Sequence, residues 1–193
     1  LFGAATAGLL LYGLSLLFGF AGTTDIYEMA GPLGGLLTEG PQGAFGLVVA
    51  LLLVLVGFGF KIAAVPFHFW TPDVYQGAPT PITAVISTAS KAASFALLLR
   101  FMLAVFPTYQ EYWVVVMAVL AAITMTLGNL LALVQRNIKR LLAYSSIAQA
   151  GYTLFGVVAL TETDLGAAAV AFYMFMYVLT NILAFTVIVV VSN

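Results

Sequence analysis

Two lysines set in apolar surroundings are the residues of this chain best suited to chemistry. Lys61 and Lys91 each lie in a stretch hydrophobic enough to cross a bilayer, and between them runs the aromatic, proline-rich segment VPFHFWTPDVYQGAPTP. A charge at bilayer depth is costly and is rarely kept without work to do. An amine taken out of water loses its preference for the charged form, and a like charge nearby pushes the same way. Two such amines at similar depth could load and release a proton near neutral pH, each responding to the charge on the other. That is the chemistry of proton or ion transfer. The competing reading is a fixed structural ion pair with a carboxylate. No Asp or Glu falls at membrane depth in this sequence, so any such partner has to come from outside residues 1–193.

Other polar groups accompany the lysines. His68 is the only histidine and follows Lys61 by seven residues. With an ordinary pKa of ~6.5 it suits proton relay; equally, it could be a hydrogen-bonded residue that secures a broken helix. Ser87, Thr88, Ser90 and Ser94 surround Lys91, with Thr88 and Ser94 within one turn on roughly its face. They could hold water or glue helices together. Tyr144, Ser145, Ser146 and Gln149 form a polar patch with the same two readings. Asp73 is expected to cap or bond its own loop.

Several chemistries are absent. The chain has no cysteine, which excludes disulfides, thiolate catalysis and cysteine-ligated clusters within it. No His/Asp/Glu grouping has metal spacing, the glycines are scattered through apolar helices and form no phosphate cradle, and no nucleophile stands beside a base. No cofactor and no metal are expected in this chain. A net charge of −1 argues against nucleic acid.

The elements that must position the lysines are membrane helices. The sequence is 63% hydrophobic and 7% charged, with a mean hydropathy of +1.13; soluble domains average ~25% charged residues. The expected fold class is therefore an all-α polytopic membrane protein. At ~20 residues per crossing, six spans are expected: residues 2–21, 43–64, 79–106, 112–134, 141–160 and 165–191. The second runs into Pro66, whose ring removes a backbone donor and clashes with the carbonyl of Ile62. Apolar character continues to Trp70, so a helix broken at membrane depth near Pro66 is expected. Backbone freed there must be satisfied by protein or water, and such breaks mark ion sites in transporters. Lys91 falls near the middle of the third span. Arg100 lies nine residues on, about 13 Å along the axis, far enough to snorkel to the interface. Thr163 or Asp164 is the expected N-cap of the sixth span.

Arg136, Lys139 and Arg140 supply three of the six basic residues. The positive-inside rule puts their loop in the cytoplasm, where they set orientation and meet lipid headgroups. By alternation Asp73 shares that side, and Asp25, Glu28, Glu39, Glu111, Glu162 and Asp164 lie opposite. With no initiator Met and no signal-peptide pattern at Leu1, the chain reads as an internal piece of a longer subunit.

The blocks FKIAAVPFHFWTPDVYQGAPTP, TASK and QRNIKRLLAYSSIAQAGY, in this order, resemble the antiporter-like membrane subunits of NADH:quinone oxidoreductase, respiratory complex I. TPDVYQGAP is similar to the N-type subunits (subunit 2 of the mitochondrial and chloroplast enzymes). The L- and M-type subunits and the multisubunit Na⁺/H⁺ antiporters tend to read LPDA there. The resemblance implies a larger inverted-repeat bundle of about fourteen helices. This chain would match the sixth to eleventh of them, one membrane domain with residues 1–106 ending the first repeat and 112–193 opening the second. It implies that Lys61 is a proton-loading group and that Lys91 passes protons along the central axis. The glutamate that pairs with Lys61 would precede Leu1. It also implies a redox-driven proton pump whose flavin, iron–sulfur clusters and quinone site belong to other subunits. The implied partners are other membrane-arm subunits, the lipid bilayer, and protons and water. The implied location is a bacterial inner (plasma) membrane in preference to an organellar membrane. An antiporter subunit without a redox partner, and a structural scaffold with locked ion pairs, are the alternatives.

Overall fold

The structure is a computed structural model and describes residues 1–36, 41–160 and 166–192. Glu39, Glu162, Thr163 and Asp164, placed above by sequence, lie outside the described residues. Six helices long and apolar enough to cross a membrane are present among the described residues: Phe2–Ala21, Ala44–Ile62, Thr80–Val105, Pro107–Leu133, Ile138–Ala159 and Gly166–Val191. We label the elements α1 (Phe2–Ala21), α2 (Ala30–Gly35), α3 (Pro41–Ile62), α4 (Trp70–Gly77), α5 (Thr80–Val85), α6 (Lys91–Val105), α7 (Gln110–Leu133), α8 (Ile138–Ala159) and α9 (Gly166–Ser192). Short α2 lies in what the sequence presents as a loop.

Lipid gives helices little hydrophobic reason to associate, so close backbone contact must do so. α1 packs along α3, and α7 along α8. In the second pair a Cβ on Gly128 would sit 2.5 Å from the Ala148 nitrogen, and one on Gly151 would sit 2.5 Å from the Met125 nitrogen. Only hydrogen at these two positions allows the backbones to meet. The buried core between α3, α6 and α7 holds Phe95, Met102, Phe106 and Trp113. Its polar edges are satisfied: the Trp113 indole donates to the Phe106 carbonyl (3.1 Å) and the Tyr109 hydroxyl to the Leu33 carbonyl (2.8 Å). Outward-facing side chains are large and apolar, among them Leu11, Tyr112 and Val190.

The two ends of the bundle sort as alternation requires. Asp73 and Arg140 form an ion pair of 2.6 Å at one end. At the other, Arg100 Nε donates to the Tyr27 hydroxyl (2.6 Å) and its guanidinium lies 5.4 Å from that ring. Arg100 does reach the surface, where it holds the loop after α1. α8 starts three residues earlier than hydropathy suggests, because the Asn137 side chain accepts from the backbone nitrogens of Lys139 and Arg140. Two of the three bases are also tied to α4 and the residue after it. Arg140 bonds Asp73 and Gln76, and Lys139 Nζ donates to the Ala78 carbonyl (3.0 Å) just past the end of α4.

The expected break is present, but it begins before the proline. α3 stops at Ile62, where Ala63 takes a left-handed φ of 61°. The Ala64 nitrogen donates to the Gly59 carbonyl (2.8 Å) and the Ala63 nitrogen to Phe60 (3.2 Å), a Schellman closure with alanine in the place glycine usually holds. The Val65–Pro66 bond is cis. Chain direction recovers through a turn at Phe67–Phe69, and α4 follows.

Candidate functional site

The broken segment takes its missing partners from protein. The Val65 nitrogen donates to Thr124 Oγ1 on α7 (3.1 Å), and the Trp70 indole nitrogen donates to the Phe60 carbonyl in the last turn of α3 (3.0 Å), which also accepts from Ala63. Trp70 also stacks at 5.3 Å on the Phe60 ring. Lys61 sits in the last turn of α3, where a cation meets the negative end of the helix dipole. It is exposed and makes no hydrogen bond or ion pair with any described residue. His68 is buried against the Phe69 ring at 4.5 Å. Its Nδ1 is buried without a hydrogen-bond partner among the described residues, as is Thr71 Oγ1 one turn on. Among the described residues no hydrogen bond joins His68 to either lysine.

The second lysine lies in different surroundings. The third span is not one continuous α-helix: Ile86–Ser90 forms a π-turn between α5 and α6, directly before Lys91. π-turns of this kind occur often at functional sites. The Ser87 and Thr88 hydroxyls turn back to the Ala84 carbonyl (2.9 and 2.7 Å), and Ser94 Oγ to Ser90 (2.7 Å). Ser90 is exposed. The Ser87, Thr88 and Ser94 hydroxyls thus bond their own helix, Ser87 lying also beside the Tyr75 hydroxyl, and none of them is bonded to the Lys91 amine.

Lys91 is 2% exposed. Its Nζ donates to the Ser146 carbonyl (2.9 Å) and to Ser146 Oγ (2.5 Å), 55 residues away on α8. Ser146 Oγ is in turn bonded to the Tyr177 hydroxyl of α9 (2.7 Å) and the Tyr75 hydroxyl of α4 (3.2 Å). Tyr75 has its ring edge against Phe185. All four side chains are buried, and no carboxylate joins them among the described residues. The single ion pair there, Arg140–Asp73, is at the surface. Beside the cluster, Tyr177 borders a cavity of about 400 Å³ also lined by Ser145, Gln149, Tyr173, Thr180 and Asn181. The Tyr173 hydroxyl donates to Gln149 Oε1 at its wall.

Of the polar patch read from sequence, Ser146 thus bonds Lys91 and Gln149 lines the cavity. Tyr75 and Tyr177 escaped sequence reasoning, as did the π-turn. Tyr75 carried one signal, its place within the TPDVYQGAP block. Tyr177 had none, since a tyrosine in an apolar helix is ordinary. The arrangement offers an amine that has lost water, neutral oxygens around it, and a polar cavity one hydroxyl away. It can hold a proton and hand it on.

The comparisons with known proteins agree with one another. The sequence profile described as "NADH:quinone oxidoreductase/Mrp antiporter, TM" matches residues 1–193. The chain is similar to NADH-quinone oxidoreductase subunit N of Desulforamulus reducens, 51% identical over 189 residues, which cover 97% of this chain and 38% of the relative. Among solved structures it is similar to a chain of respiratory complex I from Thermus thermophilus, at 42% identity and a TM-score of 0.75, covering 97% of this chain and 38% of that one. It is also similar to a chain of the Mrp complex from Dietzia sp., at 27% identity and a TM-score of 0.80, covering 93% and 32%. This chain spans about a third of the length of these relatives, 32–38%. Backbone shape is shared by both kinds of complex, while sequence identity is higher for complex I. The chain belongs to the NADH:quinone oxidoreductase/Mrp antiporter family of polytopic membrane subunits.

Proposed function

We propose that these residues are the part of an antiporter-like membrane subunit of NADH:quinone oxidoreductase that loads and passes protons. The observation that carries this reading is Lys91: an amine sealed from solvent and held only by neutral oxygens. A structural scaffold would be expected to neutralise it with a carboxylate, and none is within hydrogen-bond reach among the described residues. Lys61 is the second proton carrier. It faces outward from the described helices, and its carboxylate partner belongs to polypeptide beyond them. His68 stabilises the break and, with Nδ1 unpaired, is available to relay protons between Lys61 and the end of the bundle. Flavin, iron–sulfur clusters and quinone act in other subunits, whose redox step shifts the charge that Lys61 and Lys91 feel. Residues 1–106 close one inverted repeat and 112–193 open the next. The protein lies in a bacterial plasma membrane with the Arg136–Arg140 loop in the cytoplasm.

The test replaces Lys61 and Lys91 singly with Ala in the complete enzyme and measures protons moved per NADH oxidised in sealed vesicles. Each assembled variant is expected to pump at least about fivefold less. Normal pumping by both would sink the proposal. The TM-score of 0.80 to the Mrp complex chain keeps an antiporter reading in view. Purification separates the two, since an antiporter would carry no flavin and would exchange Na⁺ without NADH.

A further inference from the structure

Ser146 has as many partners as a hydroxyl can serve, and the charge on Lys91 decides which of them it donates to. It meets Lys91 Nζ, Tyr177 and Tyr75 at 2.5, 2.7 and 3.2 Å. A hydroxyl donates one hydrogen and accepts two, an ammonium only donates, and a neutral amine also accepts. With Lys91 charged, Nζ occupies one lone pair of Ser146, so one tyrosine donates to Ser146 and the other must accept from it. With Lys91 neutral, Ser146 can turn its hydrogen to the amine lone pair, and both tyrosines then donate. Leaving that lone pair unmet in a buried site carries the usual cost of an unsatisfied group. The tyrosine that changes role has to find another acceptor for its own hydrogen in the charged state. Tyr177 can, because it borders the 400 Å³ cavity; Tyr75 is wholly buried beside the Ser87 hydroxyl, and its 3.2 Å contact with Ser146 is longer than the 2.7 Å of Tyr177, so Tyr177 is the tyrosine to which Ser146 donates.

Resting on the assignment of Lys91 as a proton carrier, we infer that Ser146 is a positioning residue whose hydroxyl reverses with the charge on Lys91 and thereby turns the Tyr177 hydroxyl between Ser146 and the cavity. Protonated Lys91 sends the Tyr177 O–H outward to the cavity, and neutral Lys91 draws it back. No covalent bond changes; each hydroxyl keeps its own hydrogen and only rotates. Titratable groups on the elements packed around α6 are few. Tyr177 and Tyr173 come from α9, Tyr173 being occupied with Gln149. Tyr75 comes from α4 by way of Ser146, and Lys61 on α3 is exposed.

The test uses the complete enzyme in sealed vesicles, with Ser146→Ala, Ser146→Thr, Tyr177→Phe and Tyr75→Phe, following protons moved per NADH from pH 6 to 9. Ser146→Ala and Tyr177→Phe are expected to pump at least about threefold less and to share one altered pH profile. Ser146→Thr is expected to recover more than half of the parental value, and Tyr75→Phe to fall less than Tyr177→Phe. Infrared difference spectra between pH 6 and 9, with ring-labelled tyrosine, should show a phenol band that vanishes in both Tyr177→Phe and Lys91→Ala. Parental pumping in Ser146→Ala at every pH overturns the inference, as does absence of that band from the parent. If Ser146→Ala fails to assemble, Tyr177→Phe and the parental spectrum decide alone. Loss of pumping in Lys91→Ala with parental pumping in Ser146→Ala sinks this inference only; parental pumping in both Lys61→Ala and Lys91→Ala sinks the proton-carrier reading beneath it.

Discussion

Lys61 and Lys91 look alike in sequence, each a lone cation in an apolar span next to a helix interruption, yet the structure treats them differently. Lys61 precedes a break whose backbone is repaired from outside, by Thr124 and Trp70, and its own amine is bare. Lys91 follows a π-turn repaired by hydroxyls of the same helix, Ser87 and Thr88, and its amine makes two hydrogen bonds, both to Ser146. One site is complete within the described residues. The other is an amine with no hydrogen-bond partner among the described residues. A membrane-embedded amine thus acquires its chemistry from whichever helix covers it, and the interruption beside it sets only where the cover must fit.

Three substitutions sharpen that contrast. The largest effect is expected from Gly151→Val. Its side chain would drive into the α7 backbone at Met125, beyond the ~1–3 kcal/mol of ordinary overpacking, and would push Ser146 off Lys91. Subunit recovered in the assembled complex should fall severalfold, as read by immunoblot of purified membranes. Next comes Thr124→Val, which keeps shape but leaves the Val65 nitrogen without its partner. A buried donor left unmet costs about 1–3 kcal/mol. The midpoint of thermal inactivation should drop, while the infrared band assigned above to the Lys91 cluster stays. If that band moved as much as in Lys91→Ala, the two sites would not be separable. The smallest effect is expected from Asp73→Asn. The carboxylate is 77% exposed, and surface ion pairs contribute about 0–1 kcal/mol, so stability should change little and the difference should vanish in high salt.

Much of this fold is legible in the sequence because lipid imposes length and hydropathy so strictly. All six spans and the sidedness of Asp73 with Arg140 follow from that. The break is legible from Pro66, but its onset is not: alanine at position 63 advertises no left-handed turn, and the helix ends there because a six-residue closure onto Gly59 is satisfied first. Nothing in ISTAS announces a π-turn. For the site, Lys91 is legible because charge at that depth is conspicuous. Its partner is not, since hydropathy carries no information on which helix, 55 residues away, will face it. The serines nearest in sequence are the natural guess, and their hydroxyls turn to their own backbone. Lys61 illustrates the opposite case, conspicuous in sequence but unbonded among the described residues.

The glycine seam between α7 and α8 has a mechanical consequence. Thr124, which holds the broken strand of chain at Val65, is on α7; Ser146, which holds Lys91, is on α8; and the two helices touch backbone to backbone at Gly128 and Gly151. With only hydrogen at those two positions, the pair is held close enough to move together, and each of its edges holds a different lysine's neighbourhood. A shove on the hinge beside Lys61 that keeps the Thr124 bond intact must therefore tug at the seat of Lys91.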